Sequence, residues 1–296
     1  MSATPRITIG LPVYNGATTL EGSMGSLLAQ TFGDFELLIS DNASTDATEE
    51  VVRAVATRDT RVRYVRQTEN IGANGNYSYV AQVARGEYLK WASASDWCAP
   101  TFLERCLDAL DGDPDAVVAA PRTRLFEDNP SNCRGYAHDI EVLDATPSAR
   151  LIHLYRDMRL NNAFNGLIRL SALRQTRLVE PYLQADMVLM GHLALLGKYL
   201  LVPEPLFYRR MEPETSTSLQ DADAVRRHHY PTPTVRSLFQ ASKRHVGWFR
   251  AALASPMSVR ERAKVLTYLA RHLLWERDKI GMDFTLAWRY ATRRPS

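Results

Sequence analysis

Short apolar runs alternate with helically spaced stretches over the first 120 residues, and this alternation limits the chain more than any other feature. Ile7–Leu11, Phe35–Ser40, Val62–Arg66, Glu87–Ala92 and Ala116–Ala120 read as strands. Between the first two, Leu20–Gln30 carries Leu20, Met24, Leu27 and Leu28 on one side. The stretch after Ser44-Thr45-Asp46, running to Thr57, carries Val51, Val52 and Val55 at helical spacing, with cap residues in front. Ala73–Ala84, stopped near Gly86, and Pro100–Leu110 complete the series. Such a succession buries its apolar faces as an α/β fold, a mostly parallel sheet with helices on both sides. Ligands of open sheets bind beyond the carboxyl ends of the strands, so function is expected just after each strand.

After Asp128 the alternation loosens. Asn129–Thr146 reads as a polar surface loop, followed by a helix near Ala149–Arg159 and a strand at Asn165–Arg169. Asp186–Leu196 is helical and closes at Gly197. Tyr199–Val202 is a strand that Pro203-Glu204-Pro205 breaks and Leu206–Arg210 resumes. Two amphipathic helices are expected in the tail, Val235–Leu253 and Val259–Lys279. The second opens on Ser258 and Glu261 at capping-box spacing and has a stripe of Leu266, Leu269 and Leu273.

Composition narrows the class further. Hydrophobic residues make up 45% and charged residues 23%, a globular balance rather than a disordered one. A net charge of +3 does not mark a nucleic-acid binder. The total hides an asymmetry: residues 235–296 hold 13 Lys/Arg against 4 Asp/Glu, while residues 1–234 hold 23 against 29. Cys98, Cys106 and Cys133 have no metal-like spacing and argue for a reducing cytosol rather than a disulfide framework. Met1–Arg6 lacks a signal-peptide core. The most apolar long stretch, Met187–Pro203, is interrupted by His192 and Lys198 and falls short of the roughly 20 residues a membrane span requires.

The strand ends carry the chemistry. Pro12-Val13-Tyr14-Asn15-Gly16 follows the first strand; Tyr14 can stack on a planar base and Asn15 can bond to one, although Asn-Gly also makes a plain turn. Asp41, after the second, could accept an N–H from a pyrimidine or serve a turn, and Asp46 reads as a helix cap. Asn70-Ile71-Gly72, after the third, reads mostly as loop structure. Ser93-Ala94-Ser95-Asp96 follows the fourth, where a carboxylate is placed to hold a divalent cation and a diphosphate, or to cap a loop.

Together, and in this order, these segments resemble the donor-binding half of family 2 glycosyltransferases. Pro12–Gly16 is similar to the family's P-x-Y-N start, Asp41–Asp46 to its D-x-x-S-x-D segment, and Asn70–Gly72 to its N-x-G turn. Arg85-Gly86-Glu87-Tyr88 resembles its R-G-E-Y run, and Pro203–Arg209 its P-E-x-L-x-Y-R close. The resemblance covers about residues 6–218. It implies a GT-A, Rossmann-like nucleotide-sugar-binding domain over 1–218 and a basic helical extension over 219–296. It further implies that Pro12, Tyr14 and Asp41 surround the base and ribose, with Asn15 and Asn70 in the same nucleotide-sugar site. Ser95 and Asp96 then meet the diphosphate through Mn2+ or Mg2+, with Asp96 as the metal ligand. Ser95 stands where relatives have the metal-ligating acid, and a hydroxyl is a poorer ligand for a hard cation. Two arrangements therefore stay open, a metal on Asp96 or a diphosphate neutralised by Lys and Arg.

Gln184-Ala185-Asp186 resembles the family's E-D segment, and Asp186 matches its catalytic aspartate. By position alone Asp186 also suits a helix first turn. Inverting transfer needs a carboxylate to take the acceptor's proton, and Asp186 is the expected base. His192 is expected on the polar face of that helix, and the pair His228-His229 lacks a third metal ligand. Tyr155, Asn161, Asn162, Phe164 and Asn165 fall where relatives shape an acceptor cleft.

The reading is an inverting glycosyltransferase that moves a sugar from a nucleotide-diphosphate donor to a glycan, lipid-linked or metabolite hydroxyl, with polysaccharide biosynthesis as one setting. The alternative is a catalytically silent GT-A domain that binds nucleotide or glycan as an accessory; Ser95, Ala185, and Gly75 in place of a common arginine favour it. A sugar-1-phosphate nucleotidyltransferase would need a Gly-rich basic loop where Pro12–Gly16 stands. The expected location is cytoplasmic. The basic tail leaves open a peripheral contact with the inner face of a membrane, a homodimer, or simple packing on the body.

Overall fold

The computed structural model describes residues 4–211 and 238–292. Four parallel strands form its first half: β1 (Ile7–Val13), β2 (Phe35–Asp41), β3 (Val62–Arg66) and β4 (Tyr88–Trp91), laid out in the order β3-β2-β1-β4. Between them run α1 (Leu20–Leu28), α2 (Thr48–Ala56) and α3 (Ala73–Val83). Strand β1 runs through Pro12 instead of ending there. Pro12 shares parity with Gly10, whose carbonyl faces β4 and accepts from Ala92 N. Pairing with β4 ends at Gly10, so the missing N–H of Pro12 costs no ladder bond.

The second half continues the sheet. After the two-residue β5 (Trp97–Cys98) and α4 (Phe102–Gly112) come β6 (Ala116–Phe126), β7 (Cys133–Gly135), β8 (Leu167–Arg169) and β9 (Lys198–Arg210). The full order is β3-β2-β1-β4-β8-β6-β9-β5, with β7 on β6. Strand β8 is antiparallel to both neighbours, so the sheet is mostly but not wholly parallel. Two expectations change here. Asn129–Thr146 is not all loop: β7 pairs with the end of β6, and Val142 bridges Tyr199. Nor does Pro203-Glu204-Pro205 break the late strand: the register with β6 jumps from Val202 to Pro205 and again to Phe207, a bulged stretch that removes the need for two proline N–H groups.

Alternate residues of the buried strands feed two cores. Leu37 and Ile39 pack with Leu20, Met24, Phe102 and Leu107 on one face, whereas Leu38 packs with Val80 and Trp91 on the other. Helix α3 lies so close to β1 that a Cβ on Gly10 would meet Val80 Cγ1 at 2.0 Å. The second face is covered by α3, α5 (Pro147–Asp157) and α7 (Ala185–Leu196), with the short α6 (Leu170–Leu173) beside them. Arg150, buried on α5, donates to the carbonyls of Ala194 and Leu195 and so closes the end of α7.

The tail contributes α8 (Gln240–Ala254), α9 (Val259–Trp275) and α10 (Arg277–Thr292). That is three helices where two were expected, because the backbone turns at Glu276 and starts again. The expected start at Val235 and the pair His228-His229 lie outside the described residues. Trp248, Ala252, Val265 and Leu269 enter the same core as α3, α5 and α7. Ser258 caps α9 by accepting from Glu261 N, but the Glu261 carboxylate does not return to Ser258; it accepts from Ser148 N and Oγ on α5. Half of the capping box is thus used to dock one helix on another. Among the described residues no helix is long and apolar enough to cross a membrane.

Candidate active site

The carboxyl ends of β1, β2 and β4 meet in one region, tied together by side chains. Asn15, at φ 51°, donates through its backbone N–H to Ser44 Oγ (2.9 Å) and accepts from Thr45 N on Oδ1 (2.8 Å). It therefore braces the loop after β1 against the loop after β2. Asp46 accepts from Ala17 N and from Thr48, which fastens the same two loops and starts α2. Asn70 Oδ1 accepts from Asn42 Nδ2 and Gly72 N, joining the third loop to the second. Tyr14 is left exposed at the rim, and Pro12 is half-buried behind it.

Asp41 is fully buried. Its Oδ2 accepts from Tyr64 OH (2.7 Å) and Arg66 Nη1 (2.8 Å), and its Oδ1 from Ser44 N (2.8 Å). A carboxylate offers about four acceptor positions, so three are in use. Burial, with Asp41 next to it, pushes the Tyr64 phenol up to about 12.

The β4 loop touches the first loop: a Cβ on Gly16 would meet Ala94 Cβ at 3.3 Å. Ser93 and Ser95 place their hydroxyls 3.2 Å apart, and Ser23 Oγ donates to Ser93 O. Asp96 Oδ1 accepts from Arg210 N (2.9 Å) at the end of β9, so the last strand closes over the tip of the fourth.

Asp186 comes to this region from α7. It lies in the first turn after Gln184, and its Oδ2 accepts from Asn161 Nδ2 (2.8 Å). The 3-10 turn Asn162–Asn165 continues the contact, with Asn162 accepting from Arg209 Nη1 and donating to Asp139. Below lie Trp91 and Phe164, stacked at 4.5 Å, with Tyr77 edge-on to both. The Tyr77 phenol is pushed up to about 12 by burial and then by Asp96 and Asp186, against an opposing pull from Arg209. One side chain thus feels both carboxylates, which puts the strand-tip acid and the helix-borne acid around the same space. Asn161 Oδ1 is buried there without a hydrogen-bond donor among the described residues.

A family model, glycosyl transferase family 2, matches residues 8–177. The chain belongs to glycosyl transferase family 2. EpsH of Bacillus subtilis (strain 168), assigned as a glycosyltransferase, is 29% identical over 170 residues, 56% of this chain and 45% of EpsH. The chain thus spans less than half the length of that relative. Among solved structures, residues 1–349 of TarS from S. aureus in complex with UDP align at TM-score 0.66 and 14% identity, covering 92% of this chain and 73% of that one. The mannosyltransferase PcManGT from Pyrobaculum calidifontis, in complex with GDP-Man and Mn2+, aligns at 0.54 and 16% identity, covering 97% and 86%. These are GT-A glycosyltransferases, and the fold is of that kind. Asp186 and Arg209 lie beyond the segment that the family model matches, yet they join the same cluster as Tyr77 and Asp96.

The donors around Asp96 suit a divalent cation in one mode. Asp96 is a single carboxylate with the Ser93 and Ser95 hydroxyls near it in sequence. Mg2+-type ions are commonly held by one or two carboxylates plus substrate phosphates, and this set meets the lower limit. A second cluster, His245, His272 and Glu276, lies within 4.8 Å in the tail. Glu276 there is already bound by Arg244 and Lys279, two cations that a metal ion would have to displace.

His192 is not on a polar face as expected. It is buried where α7 meets α8, with no partner for Nε2 among the described residues, and burial pushes it down to about 4. In the unfolded chain it takes a proton near pH 6.5, and in the folded protein only near 4. Stability contributed by the neutral ring is therefore lost as pH falls through that window, by about 3 kcal/mol at its foot. Urea titrations from pH 7 to 4 should show this slope, and His192→Leu should flatten it; an equal slope in the variant assigns the loss to other groups.

Proposed function

We propose that the protein transfers a sugar from a nucleotide-diphosphate donor to an acceptor hydroxyl with inversion, and that Asp186 is the general base. The observation that carries the reading is the shared influence of Asp96 and Asp186 on Tyr77. It supports a donor diphosphate and an acceptor proton being handled in one cleft. Pro12, Tyr14, Asn15 and Asn70 form the base and ribose wall, and Asp41 orders it from behind through Tyr64, Arg66 and Ser44. The UDP in TarS supports a uridine donor, and the GDP-Man in PcManGT keeps a guanosine donor as the other arm of the test.

In the reaction, the Asp186 carboxylate takes the acceptor hydroxyl's proton as that oxygen attacks the anomeric carbon. The bond to the diphosphate breaks on the opposite face, and the nucleoside diphosphate leaves with the electron pair. Asn161 holds Asp186 in position and offers its own Oδ1 to an acceptor hydroxyl. Mn2+ or Mg2+, held by Asp96 and the donor's phosphate oxygens, supplies charge neutralisation for the departing diphosphate. Arg209, which acts on the same phenol, adds positive charge to the cleft.

A thermal-shift series of UDP- and GDP-sugars, each with Mn2+ and with a chelator, tests this. A ligand at a hundredfold excess over Kd stabilises by about 2.7 kcal/mol, on the order of 5 °C in Tm for a protein of this size. One nucleotide should shift Tm, more strongly with metal. No shift with any nucleotide sugar removes the reading. The accessory-domain alternative, favoured by Ser95, Gly75 and Ala185, predicts a shift without turnover on any acceptor.

A further inference from the structure

Helix α10 is amphipathic in the reverse sense. Its inward side carries Asp283, 6% exposed, which accepts from Ser242 N (2.7 Å) and Ser242 Oγ (2.8 Å) on α8. Its outward side carries Phe284 and Trp288, four residues apart and 61% and 72% exposed. Leu274 and Trp275, the last two residues of α9, are 60% and 68% exposed. A surface helix ordinarily turns its apolar residues to the core. Here the core contacts of the tail are already supplied by Trp248, Val265 and Leu269, and large aromatic side chains remain outside.

The charges around these side chains are sorted as well. Between residues 259 and 292 the acids are Glu261, Glu276, Asp278 and Asp283. Glu261 is bound to Ser148 and Lys264, Glu276 to Arg244 and Lys279, and Asp283 to Ser242. Arg271, Arg277 and Arg289 face solvent in the same segment. The outer surface is therefore aromatic and basic, with Asp278 as its exposed acid.

We propose that this face, Leu274-Trp275 with Phe284 and Trp288, seats on a bilayer that contains anionic phospholipid. The aromatic side chains enter the interface and the arginines meet the headgroups. A second copy of the chain fits less well. A twofold contact through the same patch sets each Arg277 and Arg289 against its own equivalents, with no matching acids to neutralise them. The proposal does not depend on the assigned activity, since binding to lipid needs no donor or acceptor.

The test uses the full chain and two vesicle preparations, phosphatidylcholine alone and phosphatidylcholine with phosphatidylglycerol. The protein should float with the anionic vesicles and not with the neutral ones. High salt should release it, and tryptophan emission should shift to the blue on binding. Phe284→Ser combined with Trp288→Ser should weaken binding about tenfold or more, since the lost apolar burial exceeds one decade of affinity. Both positions are exposed, so Tm should not move. Absence of flotation with anionic vesicles overturns the proposal, as does undiminished binding by the double variant. A concentration-dependent dimer that the double variant abolishes, without vesicle binding, assigns the face to a second copy instead and equally overturns it. Should the variant fail to fold, the salt and neutral-vesicle arms on the native protein still decide.

Discussion

Asp186→Asn should leave donor binding unchanged and slow sugar transfer by roughly 10²–10⁴-fold, the range over which a positioned general base contributes. The substitution keeps the side chain's shape, and an amide can still pair with Asn161 Nδ2 through its oxygen. What it removes is basicity. The loss of a first-turn charge on α7 costs only about 0.3–1 kcal/mol of helix stability, so the protein should fold as before. The measurement is a pair: initial transfer rates with the donor found by thermal shift, and the calorimetric Kd for that donor. Near-native transfer by the variant would falsify the assignment of Asp186 as base. Equal weakening of binding and rate would instead make Asp186 part of the donor wall.

Much of this site was legible because its parts are local in sequence. A residue at a strand's carboxyl end lies at the ligand edge whatever the rest of the chain does, so Tyr14, Asn15, Asp41, Asn70 and Asp96 could be found from five short motifs. What could not be read is who answers them. Asp41 stands directly opposite Arg66 in the β2–β3 register, and that register belongs to the pairing rather than to either strand's pattern. Tyr77 sits on a helix of ordinary spacing, and only the assembled sheet brings it between Asp96 and Asp186. Arg209 closed a recognisable motif, but its bond to Asn162 spans two elements 47 residues apart.

The fold divides along the same line. The β1–α1–β2–α2–β3–α3–β4 succession follows from alternating periods, since each element announces itself within about ten residues. The three-residue β7 and the two-residue β5 exist because a longer neighbour offers an edge, and no period can be counted in so few residues. Pro203 and Pro205 read as a break because proline lacks a ladder donor, yet a bulge makes that donor unnecessary. In the tail, the apolar spacing predicted burial, and Val265 and Leu269 are buried. The same spacing misled at Phe284 and Trp288, where the inward side of the helix is set by Asp283 and its bonds to Ser242.

Arg244→Met should cost about 3 kcal/mol of stability and also lower the rate of transfer, because this one side chain serves both the tail and the base. Arg244 is buried on α8 and bonds at once to the Glu276 carboxylate and to Gln184 Oε1. Removing it leaves Glu276 enclosed with Lys279 as its remaining cation, the situation in which a broken ion pair is most costly. On the other side, Gln184 holds a left-handed backbone at φ 61°, which a side chain other than glycine adopts at a cost of about 1–2 kcal/mol. That turn is kept in place by Arg244 and by Gln240 Oε1, which accepts from Leu183 N (2.7 Å). Asp186 begins two residues later, so slack in the turn moves the carboxylate away from the attacking hydroxyl. The donor wall rests on other strands and should be untouched. The expected pattern is a Tm lowered by on the order of 10 °C, a lower kcat at temperatures where the variant is folded, and an unchanged donor Kd. Arg244→Lys separates the two effects, because a lysine can still neutralise Glu276 but has no planar fork to span both partners. Stability should return further than kcat does; if the two recover in step, Arg244 acts on the fold alone, and the geometry at Asp186 is held from elsewhere.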